Sequence, residues 1–348
     1  MDNLRTVPEQ YPDNTQHPID NIRLTCSEIG FLWTSYMGDS MTMAINTYFV
    51  QKTKDPQVRS VIQFALESAK SRLQTVTNMF NTIQHPVPQG FGISDLNINV
   101  RQLYSDTFML LYAKYSTRFR LFIYNSALSM TTRVDVREFF DSVINSTKEN
   151  LKQIDDLLLQ KGLYVRPPYI PIPEMVEFVA NQGFIANIAG VKRPLNSLEI
   201  AYLFNNIQIN NLGKALLLGL SQVAKSKKVK DYVKRGEDIA EKHLSILGEF
   251  LEKDDLPISM NMDQEVSDST ESPFSDKLSL FLVSSLIVQG VNEYGFSLAC
   301  SSRFELATTY SRLIVESLKY SEDGMELLTH NGWLEKIPEQ ADRKQLYS

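Results

Sequence analysis

Histidine and cysteine are scarce in this sequence of 348 residues, which has four histidines and two cysteines. The two cysteines, Cys26 and Cys300, cannot form the disulfide framework that stabilises small secreted domains. They also lie at positions that do not correspond in the internal repeat described below. We therefore predict that both thiols are reduced and serve only local packing.

Long apolar segments are also missing. The most apolar runs, residues 215–220 and 278–288, are shorter than the ~18 residues that a membrane-spanning helix needs. The first twenty residues are polar and contain three prolines, which is not the pattern of a secretory signal peptide. We expect no membrane insertion and a cytoplasmic location.

Several catalytic signatures are absent from the sequence. It has no glycine-rich phosphate loop, no His-Glu-x-x-His pair and no Gly-x-Ser-x-Gly elbow. Cys26 lies where a helix is predicted to begin, a position that can favour a thiolate, but the repeat has Ser197 at the equivalent position. These observations favour a non-enzymatic protein and predict no cofactor.

The charge is mildly acidic, with 41 acidic and 35 basic residues and a formal net charge of −6. One dense basic segment, Lys225 to Arg235, could contact the phosphates of a nucleic acid. However, Asp231 interrupts it, and Glu237 and Asp238 follow closely. A solvated helix start is the favoured interpretation, and nucleic acid is not an expected partner.

The sequence does contain a long internal repeat. Leu24-x3-Glu28-Ile29-x2-Leu32 returns 171 residues later as Leu195-x3-Glu199-Ile200-x2-Leu203. After a slip of one residue, the correspondence continues as far as Gly162 and Gly332. A correspondence over about 140 positions predicts the duplication of a whole domain, because short repeats would recur many times.

Residues with helical periodicity predict four long helices in each half. Thr25 with Glu28 is a capping-box pattern, and Asp55-Pro56 suits the start of a second helix. Helices three and four are predicted at about 100–131 and 134–160. A glycine in the left-handed conformation is expected to end the fourth helix, at Gly162 and, in the copy, at Gly332.

The connections between these helices predict their topology. Helices one and two, like helices three and four, are joined by only a few residues, so each pair should be antiparallel. About 16 residues, 84–99, join helices two and three, and 255–272 is the equivalent stretch. Such a segment can extend ~53 Å, which exceeds the ~42 Å of a 28-residue helix. We therefore predict an all-α fold of two tandem ferritin-like four-helix bundles, which arose by internal duplication and are related by an approximate twofold.

The predicted organisation has five parts. Residues 1–22 form a flexible N-terminal segment, and the first four-helix bundle spans 23–165. A proline-rich connector with a short helix, 166–194, leads to the second bundle at 195–337 and a C-terminal tail at 338–348. The apolar stretch 175–189 within the connector is expected to pack across the join between the bundles, since it is too hydrophobic for a free linker.

Two dipeptides at the entry of helix three correspond in the repeat, Ser105-Asp106 and Ser275-Asp276. Serine and aspartate side chains at such positions bind nearby backbone groups. Their presence in both halves predicts a shared structural role and argues against a unique active site.

Several stretches resemble a family found in spore-forming bacilli and described only as a domain of unknown function. These stretches are residues 24–33, 161–169, 192–196, 210–226 and 331–334. The resemblance extends from about residue 20 to 345. It implies tandem ferritin-like bundles and provides no catalytic residues to assign.

A di-metal centre is the first chemistry to test in a ferritin-like bundle. It needs Glu-x-x-His on two helices and a glutamate on each of the other two. Only His243 lies in the middle of a predicted helix; Ala240 stands where glutamate is needed, and Arg72 is its partner in the repeat. A reduced site of His243 with Glu237 or Glu241 is the alternative, and a surface or hydrogen-bonded core histidine is favoured.

Aromatic residues are abundant in the first half, and at helical spacing they usually fill a core. They could also border a cavity for an apolar ligand. The residues concerned are Trp33, Tyr36, Tyr48, Phe49, Tyr104, Phe108, Tyr112, Tyr115, Phe119, Phe122 and Tyr124.

Three functions follow as expectations. The favoured one is a non-enzymatic structural or interaction protein of spore-forming bacteria, with a protein partner or a second copy of the chain; its link to spores depends only on the resemblance. The second is a binder of a small apolar or amphipathic ligand inside a bundle, with a cavity bordered by tyrosine and methionine. The third is a degenerate metalloprotein with a site near His243.

Overall fold

The structure is a computed structural model that describes residues 22–179, 193–258, 261–340 and 343. Within these ranges the chain forms eight α-helices and two 3₁₀ turns, which confirms the prediction of an all-α fold in two similar halves. The first four are α1 (Cys26–Lys52), α2 (Pro56–Thr82), α3 (Asp106–Ser129) and α4 (Val134–Gln160). The second four are α5 (Ser197–Val223), α6 (Lys227–Glu252), α7 (Asp276–Cys300) and α8 (Phe304–His330).

Most of the helices begin and end where the sequence predicts. The third is an exception: α3 begins at Asp106 and not near residue 100, because Tyr104 is paired with Val266 and the Ser105 side chain caps the helix. Thr25 and Glu28 form a capping box at α1, and Asn196 and Glu199 form the equivalent one at α5. The Asp55 side chain caps α2. Beyond α4 and α8 the glycines at 162 and 332 have φ angles of +68° and +65°, as expected for left-handed residues after a helix.

The capping-box glutamates also tie the first helix of each bundle to the fourth. A Glu28 carboxylate oxygen accepts the backbone N–H of Arg133 at 2.7 Å, and Glu199 accepts that of Arg303 at 2.9 Å. Burial raises the pKa of Glu28, but its backbone donors outweigh this effect and hold the pKa at about 2. The carboxylate is therefore ionised at neutral pH and anchors two helix starts at once.

The long crossover between the second and third helices is confirmed in both halves. The Asp106 carboxylate, in the first turn of α3, accepts the backbone N–H of Asp55 at 2.7 Å. Asp276 in α7 accepts that of Ser226 at 2.8 Å. Since Asp55 and Ser226 precede the second helix of their bundles, helices two and three start at the same end.

The two crossovers pair with each other. Leu96 forms an antiparallel bridge with Phe274. Tyr104 forms one with Val266. The sequence predicts these segments only as loops, because such short pairing between distant residues leaves no alternating pattern.

A serine at the end of each crossover also forms hydrogen bonds with an acidic residue of the other crossover. The Ser105 N–H donates to the Glu265 carbonyl at 2.9 Å, and its hydroxyl donates to the Glu265 carboxylate. The Ser275 N–H donates to the Asp95 carbonyl at 2.8 Å, and its hydroxyl donates to the carboxylate at 2.7 Å. Because Asp95 and Glu265 correspond in the repeat, the exchange shows an approximate twofold between the halves.

One residue from each crossover enters the opposite half. The Tyr104 hydroxyl donates to the Leu216 carbonyl at 2.8 Å, and its ring lies against Gly219. Phe274 packs edge-on against Tyr48, with ring centroids 5.4 Å apart. The largest core cluster accordingly contains buried residues of both halves. The two bundles are therefore joined by apolar packing as well as by the chain.

The connector is extended and exposed in its described part. Residues 166–179 contain no helix, and Ile172 and Phe178 are 94% and 91% exposed. The expected packing of 175–189 across the join does not hold for 175–179, which are exposed, and residues 180–192 lie outside the described ranges. The predicted N-terminal segment and most of the C-terminal tail also lie outside them.

Two predictions about cysteine and membranes can be compared with these ranges. Cys26 and Cys300 are free thiols. No helix within the described part of the chain has the length and hydropathy to cross a bilayer.

Candidate functional site: the centres of the two bundles

His243 lies in the middle of α6 and is 2% exposed. Its Nδ1 is 3.0 Å from the Tyr294 hydroxyl, and its Nε2 is 3.4 Å from a Glu316 carboxylate oxygen. Burial lowers the pKa of His243, and the opposing attraction of Glu316 only partly offsets this effect. The imidazole is therefore neutral at pH 7.

The two glutamates predicted beside this histidine have other partners. Glu237 pairs with Lys234 at 2.9 Å, and Glu241 lies 3.4 Å from Lys214. Across the residues that the structure describes, no group of three or more His, Cys, Asp or Glu side chains could hold a metal ion. The metal site of His243 with Glu237 or Glu241 stays a prediction without a supporting contact.

A row of hydrogen bonds continues from His243 into the bundle. The buried Tyr294 hydroxyl lies 2.9 Å from Nδ2 and 3.1 Å from Oδ1 of Asn210. Burial raises the pKa of Tyr294, so the phenol stays protonated. Glu316, His243, Tyr294 and Asn210 thus form one polar row from the half-exposed edge of α8 to the interior. Sequence reasoning did not identify Glu316, Tyr294 or Asn210, since they lie on three different helices.

A cavity of about 80 Å³ lies beside this row, at the centre of the second bundle. All four helices line it, and Tyr294 and His243 form its polar end. The rest of the wall is mostly aliphatic, with Ile209, Leu217, Ile239, Val283, Leu286 and Ile287. It is bordered by tyrosines, as the ligand-binding alternative expected, but no methionine lines it and it lies in the second half.

The cavity in the second bundle exists partly because glycines line it. Gly213 and Gly290 line the cavity, and a Cβ added at either would meet no atom within 4 Å. The corresponding residues of the first bundle are Thr42 and Arg120. The cavity therefore reflects specific substitutions between the two copies.

The centre of the first bundle is filled by charged and polar groups. Arg72 Nη2 lies 2.6 Å from Asp39, and Arg120 donates to the Thr42 hydroxyl. The Tyr124 hydroxyl lies 3.4 Å from Asp39. The remaining space is about 10 Å³, no more than one water needs.

The buried charges of the first bundle compensate each other. Burial lowers the pKa of Arg72, but attraction by Asp39 outweighs this effect, and the net pKa is raised. In the second bundle, both charges are replaced: His243 corresponds to Arg72 and Asn210 to Asp39. Tyr124 and Tyr294 are the tyrosine common to both centres. The repeat already paired His243 with Arg72 in the sequence, and the same alignment pairs Asn210 with Asp39.

The aromatic residues of the first half mainly fill the core, as the favoured interpretation predicted. Tyr48, Phe49 and Phe108 are each at most 1% exposed, whereas Phe122 is 38% exposed.

The basic segment at 225–235 lies at the start of α6. Lys227 forms an ion pair with Asp231 on the same helix face.

The family comparison matches nearly the whole chain. The model of a family described as "Protein of unknown function (DUF3231)" matches residues 15–176 and again 183–346. No curated protein matches the chain. One similar solved structure is that of a "putative spore coat protein" from Bacillus halodurans C-125, which has 14% identity and a TM-score of 0.40. The similarity covers 44% of this chain and 99% of that one, and it does not assign a function.

Proposed function

The chain belongs to this family of unknown function, and we propose that it is a non-enzymatic structural or interaction protein of spore-forming bacteria. The cytoplasm of the cell is the proposed location. Its partner is another protein or a second copy of the chain. The proposal depends on how the residues retained in both halves are used.

The observation that carries the proposal is the role of the duplicated acidic residues. Glu28 and Glu199 accept backbone N–H groups at the start of the fourth helices. Asp106 and Asp276 accept those that precede the second helices. Charged hydrogen bonds of this kind hold helix ends in one geometry. The polar residues common to both copies thus maintain a rigid framework, which supports a structural role.

The connector supports the interaction part of the proposal. Tyr169, Ile172, Val176 and Phe178 are each between 79% and 94% exposed within ten residues of chain. Clustered exposure of large apolar side chains is typical of protein contact sites. The extended, proline-rich backbone leaves these side chains accessible from more than one direction.

Native mass spectrometry of the protein purified from its own sporulating host tests the proposal. We expect an assembly, either with another protein or of two or more copies, and loss of that assembly in the I172S/F178S variant. The matched control is V315S/L318S on α8, because Val315 and Leu318 are also exposed, to 53% and 52%.

Two results would contradict the proposal. One is a single chain with a stoichiometric cofactor. The other is an assembly that both double variants retain equally. An adduct of a few tens of daltons that disappears in His243→Ala would favour the metalloprotein alternative.

A further inference from the structure

We propose that the cavity at the centre of the second bundle binds a small uncharged molecule with an apolar body and one hydroxyl group, of the short-chain alcohol type. This ligand site is independent of the structural role proposed above. The size of the cavity, its wall, its polar end and its counterpart in the first bundle support this assignment.

The volume limits the size of the ligand. The cavity measures about 80 Å³, and one water requires ~10–15 Å³ on the same kind of measure. An engineered apolar cavity of ~150 Å³ accommodates benzene. The benzene and water figures bracket a ligand body of about three to six non-hydrogen atoms.

The wall selects an uncharged molecule. Apart from the neutral His243, the residues that line the cavity carry no ionisable group other than the hydroxyls of Tyr294 and Tyr320. A charged ligand would lose its hydration without gaining an opposite charge, which is costly. Aliphatic walls such as those of Leu217 and Val283 instead favour an apolar body.

The polar end provides one acceptor for the ligand. When the Nε2–H of His243 donates a hydrogen bond to Glu316, the Nδ1 of His243 accepts a hydrogen bond from the Tyr294 hydroxyl. The Asn210 amide donates to the Tyr294 oxygen at 2.9 Å. A phenolic oxygen has two lone pairs, so one is left for a hydroxyl group of the ligand.

The first bundle shows that the site is specific to the second. At the equivalent place, the Asp39–Arg72 pair and Arg120 occupy the centre and leave about 10 Å³. Both halves retain the contacts at their helix ends, so the cavity did not arise through general loosening of the second fold. The exchange of charged residues for His243 and Gly290 instead opened one defined space.

Methyl NMR of the full chain, with labelled Ile, Leu and Val, tests the site with xenon and butan-1-ol as probes. We expect saturable shifts of the Ile239, Val283 and Ile287 methyl signals with both probes. Tyr294→Phe should lower the affinity for butan-1-ol about three- to tenfold, which is the range expected for one hydrogen bond. The affinity for xenon should stay within about twofold of the wild-type value.

A filling variant provides the second test. Gly290→Leu should abolish binding of both probes, because the new side chain occupies the cavity. The matched control is Gly295→Leu on the same helix, where an added Cβ also meets no atom within 4 Å but the residue does not line the cavity. If Gly290→Leu does not fold, Leu286→Phe fills the same wall.

Three outcomes would overturn the proposal. The first is an absence of saturable shifts at the cavity methyls with either probe. The second is wild-type affinity in a folded filling variant, either Gly290→Leu or, if that variant does not fold, Leu286→Phe. The third is a Tyr294→Phe protein that binds butan-1-ol and xenon as the wild type does, since the hydroxyl would then have no role in recognition.

Discussion

The two bundles share the ends of their helices and differ at their centres. Glu28 and Glu199 hold equivalent backbone groups. An ion pair of Asp39 and Arg72 fills the first centre, whereas a polar row with a neutral His243 borders a cavity in the second. The difference shows which contacts a duplicated fold must retain. Backbone groups at helix ends need a partner in either copy, whereas a bundle centre can be filled in more than one way.

Both charged residues of the first bundle's buried ion pair have uncharged counterparts in the second bundle. Removal of only one member of a buried ion pair leaves an uncompensated charge, whereas replacement of both by neutral groups is tolerated. Asp39 and Arg72 correspond to Asn210 and His243, so both charges are absent from the second centre. The smaller His243 side chain in place of Arg72, together with Gly290 in place of Arg120, leaves the volume that forms the cavity.

The largest effect is expected from Asp39→Ala, which leaves Arg72 buried without its carboxylate. The free energy of unfolding should fall by about 3–5 kcal/mol. The matched change in the second bundle, Asn210→Ala, removes only neutral hydrogen bonds and should cost about 1–2 kcal/mol. Urea unfolding of the full chain measures both values.

The double variant Asp39→Asn/Arg72→His introduces the second bundle's pair into the first. It should be more stable than Asp39→Ala, because no unpaired charge remains. Equal losses for Asp39→Ala and Asn210→Ala would show that the ion pair does not distinguish the two centres.

An intermediate effect is expected from Gly236→Ala. Its new Cβ would clash with the Tyr320 hydroxyl, whereas the first bundle has Ala65 at the equivalent position. We expect a loss of about 1–3 kcal/mol from overpacking. Gly290→Ala is the control, because its Cβ enters open space and alanine favours the helix by about 0.5–1 kcal/mol. Differential scanning calorimetry should place their melting temperatures on opposite sides of the wild type, and shifts in the same direction would refute the packing argument.

A smaller and nearly equal effect is expected at the two crossover serines. Ser105 and Ser275 each cap a helix and also donate to the opposite crossover. Replacement of either by alanine should cost about 1 kcal/mol, as loss of a helix cap does. Chemical unfolding of the two variants provides the comparison, with the exposed Ser129→Ala as a near-neutral control. A loss at only one serine would contradict the approximate twofold.

The smallest effect is a dependence on pH that only the second centre should show. Burial lowers the folded-state pKa of His243 below the ~6.5 of the unfolded state, although Glu316 opposes the effect and Lys242 and Arg312 add to it. The unfolded state therefore binds the proton first. Stability should fall as the pH drops from ~6.5 towards the folded pKa, and should not depend on this group above that range.

The comparison of wild type with His243→Gln at pH 7.5 and 5.5 isolates this effect. The wild type should lose more stability between the two pH values, whereas Arg72 in the first bundle keeps its charge at both. Identical pH dependence of the two proteins would show that His243 is not held neutral by the fold.

Local chemistry explains why much of the fold could be predicted. Thr25 with Glu28 satisfies helix donors within four residues, and Gly162 adopts a left-handed conformation that most residues avoid, so both signals are readable without tertiary contacts. The length of 84–99 also limited the topology. The bounds proposed for the connector and the two tails, and a metal at His243, stay predictions.

The parts that could not be predicted depend on residues that are distant in the chain. The pairing of Leu96 with Phe274 and the contact of His243 with Glu316 join separate helices or loops. No local sequence pattern predicts contacts between residues that are so distant in the chain. The cavity is harder still to predict, because it is defined by the volume that several helices leave unfilled.

The sequence by itself determined the duplication, the eight helices, their caps and the crossovers, because each depends on local residue chemistry or chain length. Only the tertiary structure decided that the crossovers pair across the twofold, that Tyr104 and Phe274 enter the opposite halves, and that one centre is filled while the other is open. Those outcomes depend on which side chains meet in space, and on whether their volumes and charges compensate each other there.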